Sequence, residues 1–210
     1  MELYSYFRSS ASWRVRIGLA LKGLASDYRA IHLLRQEQGA PGYRALSPNG
    51  LVPALVDGGQ ALHQSLAILE YLDETHPEPP LLPRDAAGRA RVRALAQDIA
   101  CEIHPLNNMR VLRYLTQTLG VSEEAKTGWI RHWIEDGLAV VERQLAEQPS
   151  AFCHGDSPGL ADCVLVPQVF NAQRFKCRTE HLPNVMRIHS ACMAFPAFTA
   201  TQPSACPDAE

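Results

Sequence analysis

The chain has 210 residues, 46% of them hydrophobic and 20% charged, with a net charge of −2. That is enough apolar material for one domain or two small ones, and too little basic excess for a nucleic-acid or anionic-membrane surface. No apolar run approaches the roughly 20 residues that cross a bilayer, and the N-terminal MELYSYFRSS lacks the basic-then-apolar pattern of a signal peptide.

The first predicted strand is ELYSYF. A helix follows, with Ile17, Leu21 and Leu24 in apolar register, and SDYRAIHL reads as a second strand. LVPALVDGGQALHQS reads as a hairpin turned by Asp57, Gly58 and Gly59. SLAILEYLDETH is then a helix with Ser65 as its N-cap. With a further helix before the hairpin, the order is β-α-β-(α)-β-β-α, an α/β domain with mixed strands. HPEPPLLPRD, with four prolines, cannot continue a helix and suits an exposed, stiff linker. The expected domains are therefore 1–79 and 85–210. The second is all helical: Val92, Leu95, Ile99, Ile103 and Leu106 form one apolar stripe, and Ile130, Trp133, Ile134, Leu138, Val141 and Leu145 another. The tail TQPSACPDAE is expected to fray.

Six cysteines (Cys101, Cys153, Cys163, Cys177, Cys192, Cys206) are scattered without a CxxC pair, which predicts reduced thiols and a cytoplasmic protein. The eight histidines show no HExxH or HxxxH spacing, so no metal site is expected.

Three stretches of the first domain offer chemistry. In YFRSSASWRVRIG, Ser9 and Ser10 stand where a strand runs into a helix, and the outward N–H groups of a helix start favour an anion. A phosphate loop would need glycines, and none occurs between Met1 and Ile17; the GxSxG turn of a serine hydrolase is also absent. The alternative is a plain cap by Ser10 or Ser12. In NGLVPAL, Pro53 opens a strand and must lie at an edge or in a cis turn. A cis peptide would leave the Val52 backbone to pair with an extended peptide ligand; an edge proline would do nothing. In HQSLAI, Gln64 and Ser65 offer amide donors and a hydroxyl to a carboxylate, or else simply cap the helix.

In CEIHPLNNMRVLRYL of the second domain, His104 and Asn108 are four residues apart and share a helix face, with Pro105 kinking the helix beside them. Arg110 lies about 120° round from His104 on an ideal helix. A solvated polar face is the alternative.

Together these features resemble the glutathione transferases. RSSASWRVRIGLALKG is similar to the zeta-class signature SSC-x-W/Y-R-V-R-I-A-L, with Ala11 in place of the family cysteine. LSPNGLVPAL and QSLAILEYLDE are similar to the family's strand-turn and γ-glutamate-binding segments, and SPGLADCVLVPQ to the stretch holding its buried folding helix. The resemblance covers essentially the whole chain. It implies an α/β thioredoxin-like N-terminal domain followed by an all-α helical C-terminal domain.

It also implies glutathione as the cofactor, with Ser9 as the activating hydroxyl, Ser10 as the alternate donor and Gln38, Val52, Pro53, Gln64, Ser65, His104 and Asn108 as further glutathione contacts. IHPLNN resembles the segment that zeta-class isomerases turn to this site. Arg8, Arg110 and Arg174 would hold substrate carboxylates, since a guanidinium fork grips a carboxylate with two parallel bonds. Arg14 and Arg16 are expected to be structural, and Asp162 to serve folding. The implied reaction is cis–trans isomerisation of maleylacetoacetate or maleylpyruvate by reversible thiolate addition, in aromatic catabolism, by a homodimer. A transferase acting on small electrophiles such as α-halo acids, and a non-catalytic binding protein of the same fold, are the alternatives.

Overall fold

Residues 1–210 are described by a computed structural model. Strands β1 (Glu2–Ser5), β2 (Asp27–Ala30), β3 (Ala54–Asp57) and β4 (Gln60–His63) form one mixed sheet in the order β2-β1-β3-β4. Leu3 of β1 lies opposite Tyr28 in a parallel pair and opposite Leu55 in an antiparallel one. A parallel pair needs a crossover, and helix α1 (Ser10–Leu21) supplies it. The β3–β4 hairpin closes on Gly58 and Gly59, both at positive φ, as the sequence predicts.

One face of the sheet packs Leu3 and Leu55 against Val15 and Leu19 of α1 and against Ile68 and Leu72 of α3 (Ser65–Thr75). The two helices lie so close that a Cβ on Gly18 would strike the Leu69 side chain. On the other side Ala54 clusters with Tyr6, Phe7, Val52, Tyr43 of α2 (Pro41–Leu46) and Cys206. A buried ion pair, Lys22 to Asp73 at 2.9 Å, joins the ends of α1 and α3. Lys22 also donates to the carbonyls of His76 and Pro79, while Asp73 accepts from Leu81 N–H. The proline stretch is therefore exposed over residues 77–80 and 84–85 but not between them; Leu81 and Leu82 are buried, where an exposed linker was expected.

The chain divides into one unit of Met1–Leu82 with Met193–Glu210, and a second of Pro83–Cys192. The sequence predicts residues 193–210 in the helical domain, with a frayed tail. Instead Trp13 Nε1 donates to Thr201 Oγ1, Phe7 N–H to Asp208, and Cys206 is buried beside the sheet. Helix α9 (Pro196–Thr199) belongs to this segment. Local composition carries no record of such distant partners.

The second unit begins with α4 (Ala86–Gln97), a π-helical stretch Asp98–Ile103 and a 3-10 turn His104–Asn107. It continues with α5 (Met109–Arg113), a π-helical turn Tyr114–Thr118, α6 (Glu123–Glu147), α7 (Leu160–Arg174) and α8 (Pro183–Met193). Both expected stripes face inward: Val92, Leu95, Ile99 and Ile103 are buried, as are Ile130, Ile134, Leu138, Val141 and Leu145, with Leu106 and Trp133 half-buried. No helix is long and apolar enough to cross a membrane.

Candidate functional site

The turn from β1 into α1 is built around Ser9. It is the N-cap of α1, at φ −73° and ψ 115°, and its Oγ accepts the N–H of Ser12 at 3.2 Å. The cap is thus Ser9, not Ser10 or Ser12. The first bond within the helix runs from Trp13 N–H to Ser9 O, so the N–H groups of Ser10 and Ala11 point out of the helix start. Those groups carry the partial positive charge of the helix terminus. Ser9 Oγ has used an acceptor site while its own proton is still available, and accepting an N–H polarises the hydroxyl into a better donor. Ser10 is buried. Arg8 is exposed, with its guanidinium 5.0 Å from the centre of the Phe7 ring.

The second helix start needs a correction. Helix α3 begins at Ser65 itself, so Gln64 occupies the cap position, without a side-chain cap bond. Gln64 sits at φ 72° and ψ 115°, a region that side-chain-bearing residues rarely adopt and that concentrates at functional sites. Ser65 Oγ accepts from Arg14 Nη1 at 3.2 Å in a buried bond, which again leaves the hydroxyl proton to be donated elsewhere. Arg14 follows Ser10 by four residues and so shares its face of α1, which turns that face toward the start of α3. The role of Arg14 in tying Ser65 to α1 escaped the sequence reading. The available signal was two cations, Arg14 and Arg16, inside a mostly apolar helix, which must find partners when buried.

Two further residues of this unit complete the set. The Val52–Pro53 peptide is cis, and Val52 is buried in one cluster with Tyr6 and Phe7, just outside the ladder of β3. Gln38 lies in a 3-10 turn, Glu37–Gly39, and its Oε1 is buried without a hydrogen-bond partner.

In the helical unit the expected His104–Asn108 face does not exist. Asn108 has left the helix, at φ −66° and ψ 144°, and its Oδ1 accepts the N–H of Arg110 at 3.1 Å to cap α5. Pro105 lacks an N–H, and the chain passes from π-helical to 3-10 winding around it, so neither the four-residue spacing nor the 120° offset of Arg110 applies. Arg110 is exposed. Arg174 is the last residue of α7, exposed, with its guanidinium 5.1 Å from the centre of the Phe175 ring.

Asp162 sits apart from this chemistry. It is buried in the first turn of α7, accepting Gly159 N–H at 2.8 Å and Cys153 N–H at 2.9 Å. Burial pushes its pKa up against those donors. Burial, seconded by the Asp162 charge, likewise pushes the thiols of Cys153 and Cys192 up, which keeps them protonated and unreactive. All six cysteines are free thiols.

Comparison with known proteins places this geometry in context. Residues 3–80 match the family model "Glutathione S-transferase, N-terminal domain", and residues 124–186 match "Glutathione S-transferase, C-terminal domain". The chain is 47% identical to a probable maleylacetoacetate isomerase of Vibrio cholerae serotype O1, over 99% of this chain and 97% of that protein. It superimposes on the holo structure of a maleylpyruvate isomerase, a bacterial zeta-class glutathione S-transferase, with a TM-score of 0.97, 46% identity and full coverage of both chains. It also matches a maleylacetoacetate isomerase from Anaeromyxobacter dehalogenans, solved with dicarboxyethyl glutathione and citrate in the active site. There the TM-score is 0.89 and the identity 47%, over 100% of this chain and 97% of that one.

Proposed function

The chain belongs to the glutathione S-transferase family, in its zeta class, and on that premise we propose that it is a glutathione-dependent cis–trans isomerase. Its substrate is a maleyl ketone, maleylacetoacetate or maleylpyruvate, and it works as a cytoplasmic homodimer in aromatic catabolism. The observation that carries this reading is Ser9: a hydroxyl polarised by Ser12 N–H at the positive end of α1, with its proton unspent.

The residues present fit a peptide thiol. Gln38 Oε1 is a buried acceptor without a partner, suited to a donor group of the tripeptide. Ser65 and the strained Gln64 offer donors to its α-carboxylate, and the Val52 backbone, outside the ladder at the cis Pro53, offers peptide pairing. His104 and Asn108 hold its far end; because Asn108 Oδ1 is committed to the α5 cap, its Nδ2 is the group it offers. When bound, glutathione supplies a thiolate that adds to the cis double bond and departs after rotation about the resulting single bond. Ser9 donates to that sulfur, with Ser10 as the alternate donor. A thiol of ordinary pKa about 8.5 falls below neutrality beside a helix start and a hydroxyl donor. Arg8, Arg110 and Arg174 grip the substrate carboxylates and stabilise negative charge as it develops; each such contact contributes about 2–4 kcal/mol.

The test is a side-by-side assay of maleylacetoacetate, maleylpyruvate and a chloroacetate with glutathione. The reading predicts glutathione-dependent isomerisation of a maleyl substrate, and a rise in KM or fall in kcat in Arg110→Ala and Arg174→Ala with glutathione affinity unchanged. Turnover of chloroacetate with no isomerisation would transfer the assignment to a conjugating transferase.

A further inference from the structure

The loop that delivers Ser9 is held from outside its own neighbourhood. Of the backbone groups just before it, Tyr6 O accepts from Ser9 N–H at 2.9 Å and from Arg16 Nη1 at 3.4 Å, and Phe7 O accepts from Arg16 Nη2 at 3.0 Å. Arg16 is buried, and its Nε donates to Thr201 O at 3.0 Å. On the other side of the same residue, Phe7 N–H donates to Asp208 Oδ2 at 3.1 Å, while the other carboxylate oxygen accepts from Tyr28 Oη at 2.6 Å. Asp208 is therefore bonded to the backbone two residues ahead of Ser9, and through Tyr28 to the neighbouring strand β2. It is also among the anionic groups that favour the charge of buried Arg16. The segment is secured on both sides: Cys206 is buried against Tyr6 and Phe7, and Glu210 Oε1 lies 2.9 Å from His32 Nε2.

We propose that Asp208 is a positioning residue, through which the C-terminal segment sets the Phe7–Ser9 backbone and hence the aim of the Ser9 hydroxyl. The proposal rests on the reading above only in taking Ser9 to act on the sulfur of glutathione. A carboxylate serves because two donors, Phe7 N–H and Tyr28 Oη–H, converge on it. Burial, and then the bond to Asp208, push the Tyr28 phenol up, so it remains a donor throughout the working pH range. Asparagine keeps the bond from Phe7 N–H at its oxygen and replaces the other with one of reversed direction, from Nδ2 to Tyr28 Oη; alanine makes neither.

The experiment titrates the ultraviolet thiolate absorbance of glutathione bound to the folded full-length chain, with calorimetric affinity and melting temperature measured on the same samples. Wild type comes first: failure to ionise glutathione there defeats the functional reading rather than this one. Given an ionised thiol in wild type, Asp208→Ala is expected to raise its pKa by about one unit, a roughly tenfold loss of thiolate on the acid side. Asp208→Asn is expected to stay within about twofold of wild type, since one unit corresponds to a factor of ten. Two results overturn the proposal. One is an alanine variant that melts lower but binds and ionises glutathione as wild type does, which makes Asp208 merely structural. The other is an asparagine variant as impaired as alanine, which makes its charge, not its geometry, the active property.

Discussion

Ser9 and Gln64 show how single residues combine a backbone role with an available polar group, which the proposed function turns to chemistry. Ser9 caps α1 and still has a proton to give; Gln64 turns the chain into α3 at φ 72° and offers its amide outward. The conformation at Gln64 costs about 1–3 kcal/mol for a residue with a side chain, whereas glycine loses about 0.5–1 kcal/mol of extra chain entropy on folding. Gln64→Gly should therefore be at least as stable as wild type by thermal melting, while binding glutathione more weakly by calorimetry. A lower melting temperature would mean that the backbone there is not strained. The sequence made both positions visible as polar residues ahead of apolar helices. Which serine caps α1 is not set by sequence, because Ser9, Ser10 and Ser12 are all good caps and the choice falls to tertiary contacts. Arg14 was harder still, since its partner Ser65 is far away in sequence.

Among the elements, long regular ones were legible and broken ones were not. The stripe of α6 repeats cleanly at helical spacing, and Gly137 of the same helix meets Ile103 so closely that a Cβ would strike that side chain. From Asp98 to Thr118 the apolar spacing still looks helical, yet the chain passes through π, 3-10, α and π turns. Pro105 announced a kink; that Asn108 would leave the helix and cap the next one depends on geometry that periodicity does not encode. Helix α7 is anchored by Asp162, and its loss would leave Cys153 N–H and Gly159 N–H without their acceptor. At about 1–3 kcal/mol per buried unpaired group, Asp162→Ala should lose about 3 kcal/mol in urea unfolding. The pH dependence has a definite sign. Burial holds the folded-state pKa above the ordinary carboxylate value, so the native chain keeps this proton more tightly than the unfolded one. The associated stabilisation is complete below the ordinary value and disappears as pH rises through the raised one. Subtracting the Asp162→Asn stability curve from that of wild type should leave this falling component. A flat or rising difference would place the folded-state pKa at or below the ordinary one.

For the whole molecule, the element order of the first unit, its mixed strands and the change from α/β to helical character were readable from local patterns and turn residues. The return of residues 193–210 to the first unit was not, because its evidence lies in pairs such as Trp13–Thr201 and Phe7–Asp208. Under the proposed function that return bears on the site, since the corner bearing Ser9 is assembled from both ends of the chain. The account as a whole comes down to whether that corner ionises a bound thiol. The measurement is the pKa of enzyme-bound glutathione by thiolate absorbance, in wild type and in Ser9→Ala, with calorimetry confirming that both are saturated. Losing the cap bond alone should cost about 1 kcal/mol of stability, which the melting temperature reports separately. The account predicts a wild-type thiol ionised below neutrality and a rise of about one unit or more in Ser9→Ala. Equal pKa values in the two proteins, or a wild-type thiol no more acidic than free glutathione, would contradict it.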